Sequence, residues 1–541
     1  MPMALPLPFQ MRLRRRLADA DKAQTALLEG RLLPGAAFSP ANAAQRRDAL
    51  GKRAFDWPGI ARAFADGMAG LTPSRAQAQA LLALDDARTC FVVTGQQPGL
   101  LGGPALAWLK ALTAVAMAEK QSRELHVPVI PVFWIAGDDS DLAEANAAEF
   151  IGPADGVTPP LRLPFEDPRA KKPVGSRQLD EAAHRVLLEG LPAGWPAPLR
   201  ELASRSYAPG ATLVSAFREI MQAVLGPTGI LFIDAHSPAL RALTAQPLRE
   251  LLRRAPEFFT ALRGAEAAAQ RDFQLDPQVQ MAPHALPAFI WHRGERLRLM
   301  STGREGEGII HCPQAGLADI GGDFEGLSLS HDALSRLLVT DAAFPVLGHI
   351  LGPAELRYAV QLAEAMPRFT GGQPLIHPRQ SFCALPEDLA KDLEADGIPE
   401  SLWPGLKPSE WKRRIRKRAW TSHPAAEKPP LEWIGPWEKS IRRWQDEFSL
   451  AGVDTEALKR RLLQDLGAFQ AKVEAHLAQR LPGYHSTAER LRALALGQGQ
   501  DRHLNLLSLW AMLGEDGLGA LADELDPLHA GVQLFLLHPK T

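Results

Sequence analysis

The stretch that decides the fold is CFVVTGQQPGLLGGPALAWLKALTAVAMAE, residues 90–119. Its apolar start, Cys90 to Thr94, is typical of a short buried strand, and the glycines that follow predict a turn. Pro104 suits the first turn of a helix, where its missing N–H costs nothing. Strand, turn and helix together predict the first part of a βαβ unit.

Two further apolar runs extend this pattern. VPVIPVFWIAG (127–137) and GILFIDA (229–235) both predict buried strands. Strands separated by helices indicate a parallel sheet, so we predict an α/β fold. Downstream, 284–312 predicts a small antiparallel hairpin, 344–353 a glycine-containing loop before a helix from about Ala354, and 374–385 a last strand.

Changes in composition and in the spacing of apolar residues divide the chain into three predicted regions. Residues 1–88 predict an N-terminal helical segment, 89–400 the core with insertions at about 151–205 and 270–312, and 401–541 a helical C-terminal region. Two helices of that last region carry apolar residues at steps of three and four, which predicts a coiled coil with a turn at SLAGVDTE (449–456). The residues of this seam are Trp437, Ile441, Trp444, Phe448, Leu462, Leu466, Phe469, Val473 and Leu477.

Composition and net charge indicate which partners, metals and cell compartment to expect. The 541 residues carry a formal net charge of -2, which gives no general reason to expect a nucleic-acid or membrane partner. The three cysteines fit no metal or disulfide pattern, the N-terminal MPMALPLPFQMRLRRRL is a poor secretion signal, and no long apolar run predicts a membrane span. We therefore expect a cytoplasmic protein without a structural metal.

One strongly basic segment stands apart, WKRRIRKRAW at 411–420. Basic residues between aromatics could contact a nucleic-acid backbone. A solvated helix beside the predicted coiled coil explains them equally simply. Because the net charge is near zero, we expect the solvated helix and no nucleic-acid partner.

The turn after the first strand contains Gly95, Gly99, Gly102 and Gly103. At the carboxyl end of a parallel strand, glycine N–H groups and a helix start suit an anion. The spacing matches neither GxGxxG nor a P-loop, so a tight turn that needs positive φ angles is an equal alternative. The adjacent amides Gln96 and Gln97 favour a polar ligand.

Lys110 is the single charge between Ala105 and Ala118 in the helix that follows. A lysine one and a half turns into the helix can point its ammonium back to the glycine turn and meet a phosphate or carboxylate. Alternatively its stem is packed and its head lies in water. The sequence leaves both alternatives open.

Acidic residues crowd the end of the second strand: Asp138, Asp139 and Asp141 within four residues. Capping of the next helix explains Asp141. Because three aspartates exceed the needs of one cap, we expect Asp138 or Asp139 to bind a ribose, a substrate amine or Mg²⁺. Further on, capping explains Glu355 and packing explains Tyr358, so that cluster alone is a weak prediction.

Several long motifs resemble those of the bacillithiol biosynthesis cysteine-adding enzymes, the BshC family. VVTGQQPGLLGGP (92–104) is similar to their VVTGQQ-x-GL-x-x-GP, and PVFWIAGDDSDLAEAN (131–146) to their PVFWIAGEDHD segment. Arg336 and Asp341, then GPAELRYAVQL (352–362) and QDRHLNLLSLW (500–510), follow in the family's order. The resemblance runs from about residue 80 to the end of the chain.

This resemblance implies a Rossmann-like parallel-sheet core with inserted connecting segments, plus a C-terminal α-helical coiled coil used for dimerisation. The family's role is to join the carboxyl group of cysteine to the amine of glucosaminyl-malate. Amide formation from a carboxylate is uphill in water, so the chemistry implies ATP or its product ADP, with Mg²⁺, through an adenylate or acyl phosphate. Small-molecule substrates and a homodimer are therefore the expected partners.

The resemblance also implies roles for particular residues. Asp138, Asp139, Asp141 and Lys110 would be catalytic. Substrate or cofactor would be bound by Thr94, Gly95, Gln96, Gln97, Gly99, Gly102, Gly103, Asn146, Arg336, Asp341, Gly352, Glu355, Tyr358 and Gln361. The family's GEDHD is Gly-Asp-Asp-Ser-Asp here, so Ser140 replaces its histidine. The alternative function is a divergent member that binds a nucleotide or sugar ligand without ligase activity.

Overall fold

The structure is a computed structural model. It describes residues 9–18, 21–152, 156–157, 160–321, 324–423, 434–447, 455–481, 483–494, 500–514 and 516–539. The contacts divide the chain into two compact units. The first comprises Met1–Ile151, Thr158–Ala384 and Asp501–Thr541, and the second Gly152–Val157 and Leu385–Gln500. Residues 501–541, which the sequence groups with 401–500, therefore pack with the first unit.

The strands of the described chain have these bounds: β1 Phe9–Ala18, β2 Cys90–Gln96, β3 Val129–Ile135, β4 Ile151–Gly152, β5 Gly156–Val157, β6 Leu231–Asp234, β7 Ala285–His292, β8 Glu295–Ser301, β9 Ile310–His311, β10 Leu329–His331, β11 Val346–Leu351, β12 Leu375–Pro378, β13 Ser381–Pro386 and β14 Gly531–Pro539.

The α-helices have these bounds: α1 Lys22–Leu28, α2 Pro40–Leu50, α3 Trp57–Met68, α4 Arg75–Leu82, α5 Ala105–Leu125, α6 Leu142–Ala145, α7 Glu181–Gly190, α8 Ala197–Ser206, α9 Leu213–Leu225, α10 Pro238–Arg253, α11 Ala255–Phe273, α12 Ala333–Ala343, α13 Pro353–Gln361, α14 Ala365–Thr370, α15 Glu387–Ala395, α16 Pro408–Thr421, α17 Ile434–Glu447, α18 Thr455–Gln479, α19 Tyr484–Ala493, α20 Gln500–His503, α21 Leu506–Leu513 and α22 Gly517–Glu524.

A five-stranded parallel sheet forms the core of the first unit, in the order β12-β11-β2-β3-β6. Helix α5 joins β2 to β3 as a crossover, which confirms the predicted βαβ unit. Strands β2 and β3 are buried almost throughout, as expected for strands covered on both faces. All five carboxyl ends meet at one edge of the sheet, where ligands of such folds bind.

Strand β11 lies between β12 and β2, although the sequence predicts a loop for these residues. That prediction was wrong because Gly348 and the preceding proline suggest a turn. All six residues of β11 are buried. A Cβ atom on Gly348 would lie 2.5 Å from the ring of Phe38 and 2.7 Å from the carbonyl oxygen of Leu375. The glycine therefore permits close packing inside a strand.

The start of the described chain is also a strand, where the sequence predicts helix. Strand β1 pairs antiparallel with β14, from Phe9 opposite Pro539 to Ala18 opposite Gly531. The strand partner lies more than 500 residues away, so local pattern could not indicate it. Helices α1 to α4 follow between residues 22 and 82.

A four-stranded sheet in the order β10-β7-β8-β9 lies within the first unit. Strands β7 and β8 pair antiparallel, which confirms the predicted hairpin. Strand β10 pairs antiparallel with β7, with Ser330 opposite Phe289. This sheet carries side chains to the carboxyl edge of the parallel sheet.

The second unit is helical in its described part. Trp411 of α16 donates to Asp396 at 2.9 Å and packs against the ring of Tyr484. The basic segment is therefore a helix with its apolar side buried. Arg414 and Arg418 pair with acidic residues of the same unit, Glu410 and Asp396, as a solvated helix would.

Helices α17 and α18 cover most of the predicted coiled-coil seam. Trp437, Trp444 and Phe469 are exposed by 58%, 66% and 54%. Residues 449–454 of the predicted turn lie outside the described residues, as does Phe448 of the predicted seam. The coiled coil itself stays a prediction. Within the described part of the chain, no helix combines the length and apolar character that crossing a bilayer requires.

Candidate active site

A cavity of about 610 Å³ opens at the carboxyl edge of the parallel sheet. Its size is within the range of small-molecule sites. Predicted residues from three separate segments line it: Gly95, Gln96, Gln97, Lys110, Asp138, Asp139, Arg336, Gly352, Glu355 and Tyr358. Residues up to 263 positions apart in sequence are therefore brought together because their strands end at the same edge.

The glycine turn is held mainly by the protein itself. The N–H of Gly99 donates to the Gln97 carbonyl at 3.0 Å, and the N–H of Gly103 donates to Leu100 at 2.9 Å. The N–H of Leu101 donates to the hydroxyl of Tyr207 at 2.6 Å. These groups are thus already paired, which favours the tight-turn alternative over an anion cradle.

The C-terminal segment of the first unit completes this turn. Asn505 donates from Nδ2 to the Leu100 carbonyl at 2.8 Å. The N–H of Leu506 donates to the Gly103 carbonyl at 2.9 Å, and the N–H of Ala105 donates to Leu504 at 2.7 Å. Residues 504–506 therefore fix the start of α5 and, with it, the position of Lys110.

Lys110 is buried, with 3% of its surface exposed. Its Nζ donates to the Gly95 carbonyl and to Gln96 Oε1, both at 2.9 Å, and lies 2.5 Å from Glu355 Oε2. The ammonium therefore points back to the turn, as one of the two predictions had it. The carboxylate that it meets belongs to the protein.

Glu355 connects Lys110 to a second cation. Its other carboxylate oxygen lies 3.3 Å from Arg336, which also donates to the hydroxyl of Tyr358 at 2.7 Å. Burial alone would raise the pKa of Glu355, but the charges of Lys110 and Arg336 outweigh burial and lower it to about 2. The carboxylate is therefore ionised at neutral pH and balances the buried Lys110 and the partly buried Arg336.

Asp138 is a further lining residue of the cavity. It accepts from the hydroxyl of Ser330 at 2.7 Å and lies 3.5 Å from Arg296. Burial alone would raise the pKa of Asp138, but His331 and Arg296 lower it. Asp139 also lines the cavity and accepts a hydrogen bond from the amide of Gln97. Both aspartates thus lie at the site predicted for them, Asp138 as the more enclosed of the two.

The comparison with protein-family models now identifies the relatives of this site. Residues 38–380 match the family described as "Bacillithiol biosynthesis BshC, N-terminal Rossmann-like domain". The match covers more than half of the chain and includes the whole parallel sheet. The chain belongs to the BshC family. The predicted resemblance is thereby confirmed, and the Rossmann-like core with it.

Curated members of the BshC family show the same relationship. A protein of Solibacter usitatus named "Putative cysteine ligase BshC" is 31% identical over 61% of this chain and 62% of its own length. One of the same name from Desulforamulus reducens is 32% identical over 57% of this chain and 58% of its own. The chain thus matches about three fifths of the length of these relatives.

A solved structure also aligns with the chain, that of a "putative arginyl t-RNA synthetase" from Campylobacter jejuni. The alignment covers 79% of this chain and 97% of that one, with 9% identity and a TM-score of 0.21. A TM-score this low carries no argument about fold or function.

Some predicted residues lie outside this cavity. Gly99 and Gly103 line a smaller neighbouring cavity of about 250 Å³. Thr94 is buried and donates to the Ile350 carbonyl at 3.1 Å, and Asp141 caps α6 by accepting from the Glu144 N–H. Gly102 lies in the turn among apolar side chains. Neither cavity described here is lined by Thr94, Gly102 or Asp141.

Three other predicted residues have structural partners. Asn146 bonds to both backbone groups of Leu163, and Gln361 donates to the Val279 carbonyl at 3.0 Å. Asp341 is fully buried, where it pairs with Arg46 and lies 3.4 Å from Arg53. The first cavity contains none of the three, so their contacts explain them as parts of the fold.

Sequence reasoning missed several lining residues, chiefly on the hairpin sheet and after β12: Phe289, Arg296, Arg298, His331, Asp332, Arg379 and Arg502. Two signals could have found some of them. Alternation in strand β8 places Arg296 and Arg298 on one face. Arg379 follows directly after a strand of the parallel sheet, at its carboxyl end.

The lining fits an anionic ligand. Arg298 and Arg502 are partly or fully exposed in the cavity wall, and the buried Arg379 is anchored by Asp501 at 2.5 Å. Arginine forks suit phosphate and carboxylate groups. Among the described residues, no group of three or more His, Cys, Asp or Glu is arranged to hold a metal ion. The three cysteines are free and buried.

Proposed function

We propose that this protein is a ligase that forms an amide between the carboxyl group of cysteine and the amine of glucosaminyl-malate. One observation carries the proposal. A single cavity at the carboxyl edge of the sheet is lined both by Asp138 and Asp139 and by Arg336, Arg379 and Lys110. Such a lining can hold an amine and carboxylates at once. Membership of a family whose curated members are named cysteine ligases supports the choice of substrate.

The residues divide into two roles in this proposal. Asp139, next to the Gln97 amide, attracts the ammonium group of the amino sugar. Arg298, Arg379 and Arg502 hold carboxylate or phosphate groups. Orienting both substrates in one cavity converts a bimolecular step into an effectively unimolecular one. The buried ion pair of Lys110 and Glu355 keeps this wall rigid.

Free carboxylates do not form amides spontaneously in water, so we include ATP in the proposal, with Mg²⁺ as its companion ion. The cationic wall fits the triphosphate, although the glycine turn has no P-loop spacing. When bound, ATP would supply the free energy that makes the cysteine carboxyl carbon electrophilic. We place the reaction in the cytoplasm, where cysteine and ATP meet.

The proposal predicts product formation by the purified protein. Incubation with ATP, Mg²⁺, cysteine and glucosaminyl-malate should yield the amide, detected by mass spectrometry, together with ADP or AMP. Asp139→Asn should lower kcat/KM at least about 100-fold, since it removes the charge that positions the amine. Asp272→Asn, an exposed aspartate on α11, is the matched control and should leave the rate unchanged.

Each control reaction omits one component. No product and no binding of either substrate by calorimetry would contradict the proposal. Binding of a nucleotide or of the sugar without product would instead identify a divergent member that binds its ligand without ligase chemistry. In that case, the sequence difference that accompanies the loss of ligase chemistry is Ser140, which replaces the family's histidine.

We also propose that α17 and α18 mediate a homodimer. Trp437 and Trp444 are two turns apart on one face of α17, and Phe469 adds a third exposed ring on α18. Sedimentation equilibrium should give a dimer for the wild type and a monomer for Trp437→Glu/Trp444→Glu. Lys439→Glu, on the other face of α17, should remain dimeric. A double variant that still dimerises would disprove this interface.

A further inference from the structure

His331 is a buried histidine on the wall of the cavity that neither motif nor composition indicates. It ends strand β10, the edge strand that pairs with β7. Only 6% of its surface is exposed, yet it is among the residues that line the cavity. It lies beside Asp138, which follows β3 at the carboxyl edge of the parallel sheet.

Three neighbours fix the position of the imidazole. Its Nε2 lies 3.7 Å from Oδ2 of Asp138. The ring packs against Trp134 with centroids 5.4 Å apart. The backbone carbonyl of His331 accepts a hydrogen bond from Arg296. A carboxylate beside one nitrogen of a histidine ring selects the tautomer and leaves the other nitrogen for a ligand.

The imidazole has unused hydrogen-bonding capacity. Nε2 is buried and has no hydrogen-bond partner among the described residues. Such an orphaned polar atom costs free energy in a folded protein, so a contact that pairs it is stabilising. Movement of less than 1 Å toward Asp138 would complete an Nε2–H···Oδ2 hydrogen bond.

Burial and two neighbouring arginines favour the neutral form of the ring. Burial lowers the pKa of His331, and the positive charges of Arg296 and Arg336 lower it further, while Asp138 and Asp332 oppose this effect. His236 is a further titratable group that faces Asp138. A neutral imidazole at pH 7 can accept a proton, whereas an imidazolium cannot.

We infer that His331 is the general base of the proposed amide-forming reaction and that Asp138 is its positioning residue. This inference depends on the proposed function. His331 Nδ1 takes a proton from the ammonium group of the amino sugar, and the N–H electrons remain on nitrogen as a lone pair. That lone pair forms the C–N bond to the cysteine carboxyl carbon, already activated by a nucleoside triphosphate. The C–O bond to the phosphate-bearing leaving group then breaks, and the leaving phosphate takes the second proton from nitrogen, so that a neutral amide remains.

The kinetic test uses the full chain with His331→Gln. Loss of a general base lowers kcat about 10²- to 10⁴-fold, so that fall is expected with KM nearly unchanged. The wild-type rate should rise with pH as the imidazole loses its proton, and the variant should lack this rise. His292→Gln, a histidine of the same four-stranded sheet outside the cavity lining, should keep both rate and pH profile.

A second measurement, which needs no substrate, tests the inference even if His331→Gln does not fold. NMR titration of the wild-type His331 ring should give a pKa that falls further in Asp138→Asn, because the aspartate charge raises it. An unchanged pKa, or a His331→Gln variant within threefold of wild type with the same pH profile, would overturn the inference. If the wild type forms no amide, the proposed function fails, while the titration still decides whether Asp138 and His331 act as a pair.

Discussion

Replacing Glu355 with glutamine is expected to lower the free energy of unfolding by about 3–5 kcal/mol, the usual cost of removing one partner from a buried ion pair. Glutamine keeps the shape of the side chain but leaves Lys110 and Arg336 as unbalanced cations in a site shielded from water. Urea denaturation followed by circular dichroism measures the change. The difference should be fully present above pH 4.5 and shrink as the pH falls toward 2, because the pKa of Glu355 is lowered to about 2.

The exposed pair of Arg205 and Glu219 provides the control. Its atoms are 2.9 Å apart, but both side chains reach solvent, so Glu219→Gln should cost less than about 1 kcal/mol. The double variant Lys110→Met/Glu355→Gln should be less destabilised than the sum of its single variants, because it removes both opposite charges. Equal costs for Glu355→Gln and Glu219→Gln would contradict the described network.

Replacing Asp341 with asparagine is expected to destabilise the protein by a similar amount, about 3–5 kcal/mol, without changing substrate affinity. Its carboxylate is fully buried between Arg46 of α2 and Arg53, which follows that helix. Arg53 also donates to the Asp341 carbonyl at 2.6 Å. These contacts attach α2 and the segment after it to α12, and Asp341 is not among the residues that line the cavity.

Two measurements separate this structural role from a binding role. Thermal unfolding should show a lower Tm for Asp341→Asn, whereas calorimetric Kd values for the substrates should equal those of the wild type at a temperature where the variant is folded. Asp48→Asn, an exposed aspartate of α2, should change neither. A tenfold weaker Kd with an unchanged Tm would return Asp341 to the site predicted for it from sequence.

The sequence predicts those parts of the fold that depend on neighbours along the chain. Strand β2, its turn and α5 form one local pattern, and the apolar runs of β3 and β6 are unbroken. Strand β11 was missed because a glycine and a proline in sequence do not distinguish a turn from close packing. The pairing of β1 with β14 was missed because nothing in either segment specifies a partner at the other end of the chain.

The candidate site also contains some residues that local sequence pattern predicts and others that it does not. The residues at the ends of β2 and β3 could be predicted because they follow visible strands. The pairing of Lys110 with Glu355 could not, since it depends on β11 lying next to β2 in the sheet. His331 and the arginines of the hairpin come from a second sheet. Their position requires the packing of two sheets, which local pattern does not encode.

The contacts of residues 504–506 with the glycine turn have a consequence for the order of synthesis. A ribosome completes β2 and α5 some four hundred residues before Asn505 emerges. Until then, the Leu100 carbonyl lacks the amide of Asn505 and the Gly103 carbonyl lacks the N–H of Leu506. The pocket therefore cannot be complete before residues 504–506 have left the ribosome.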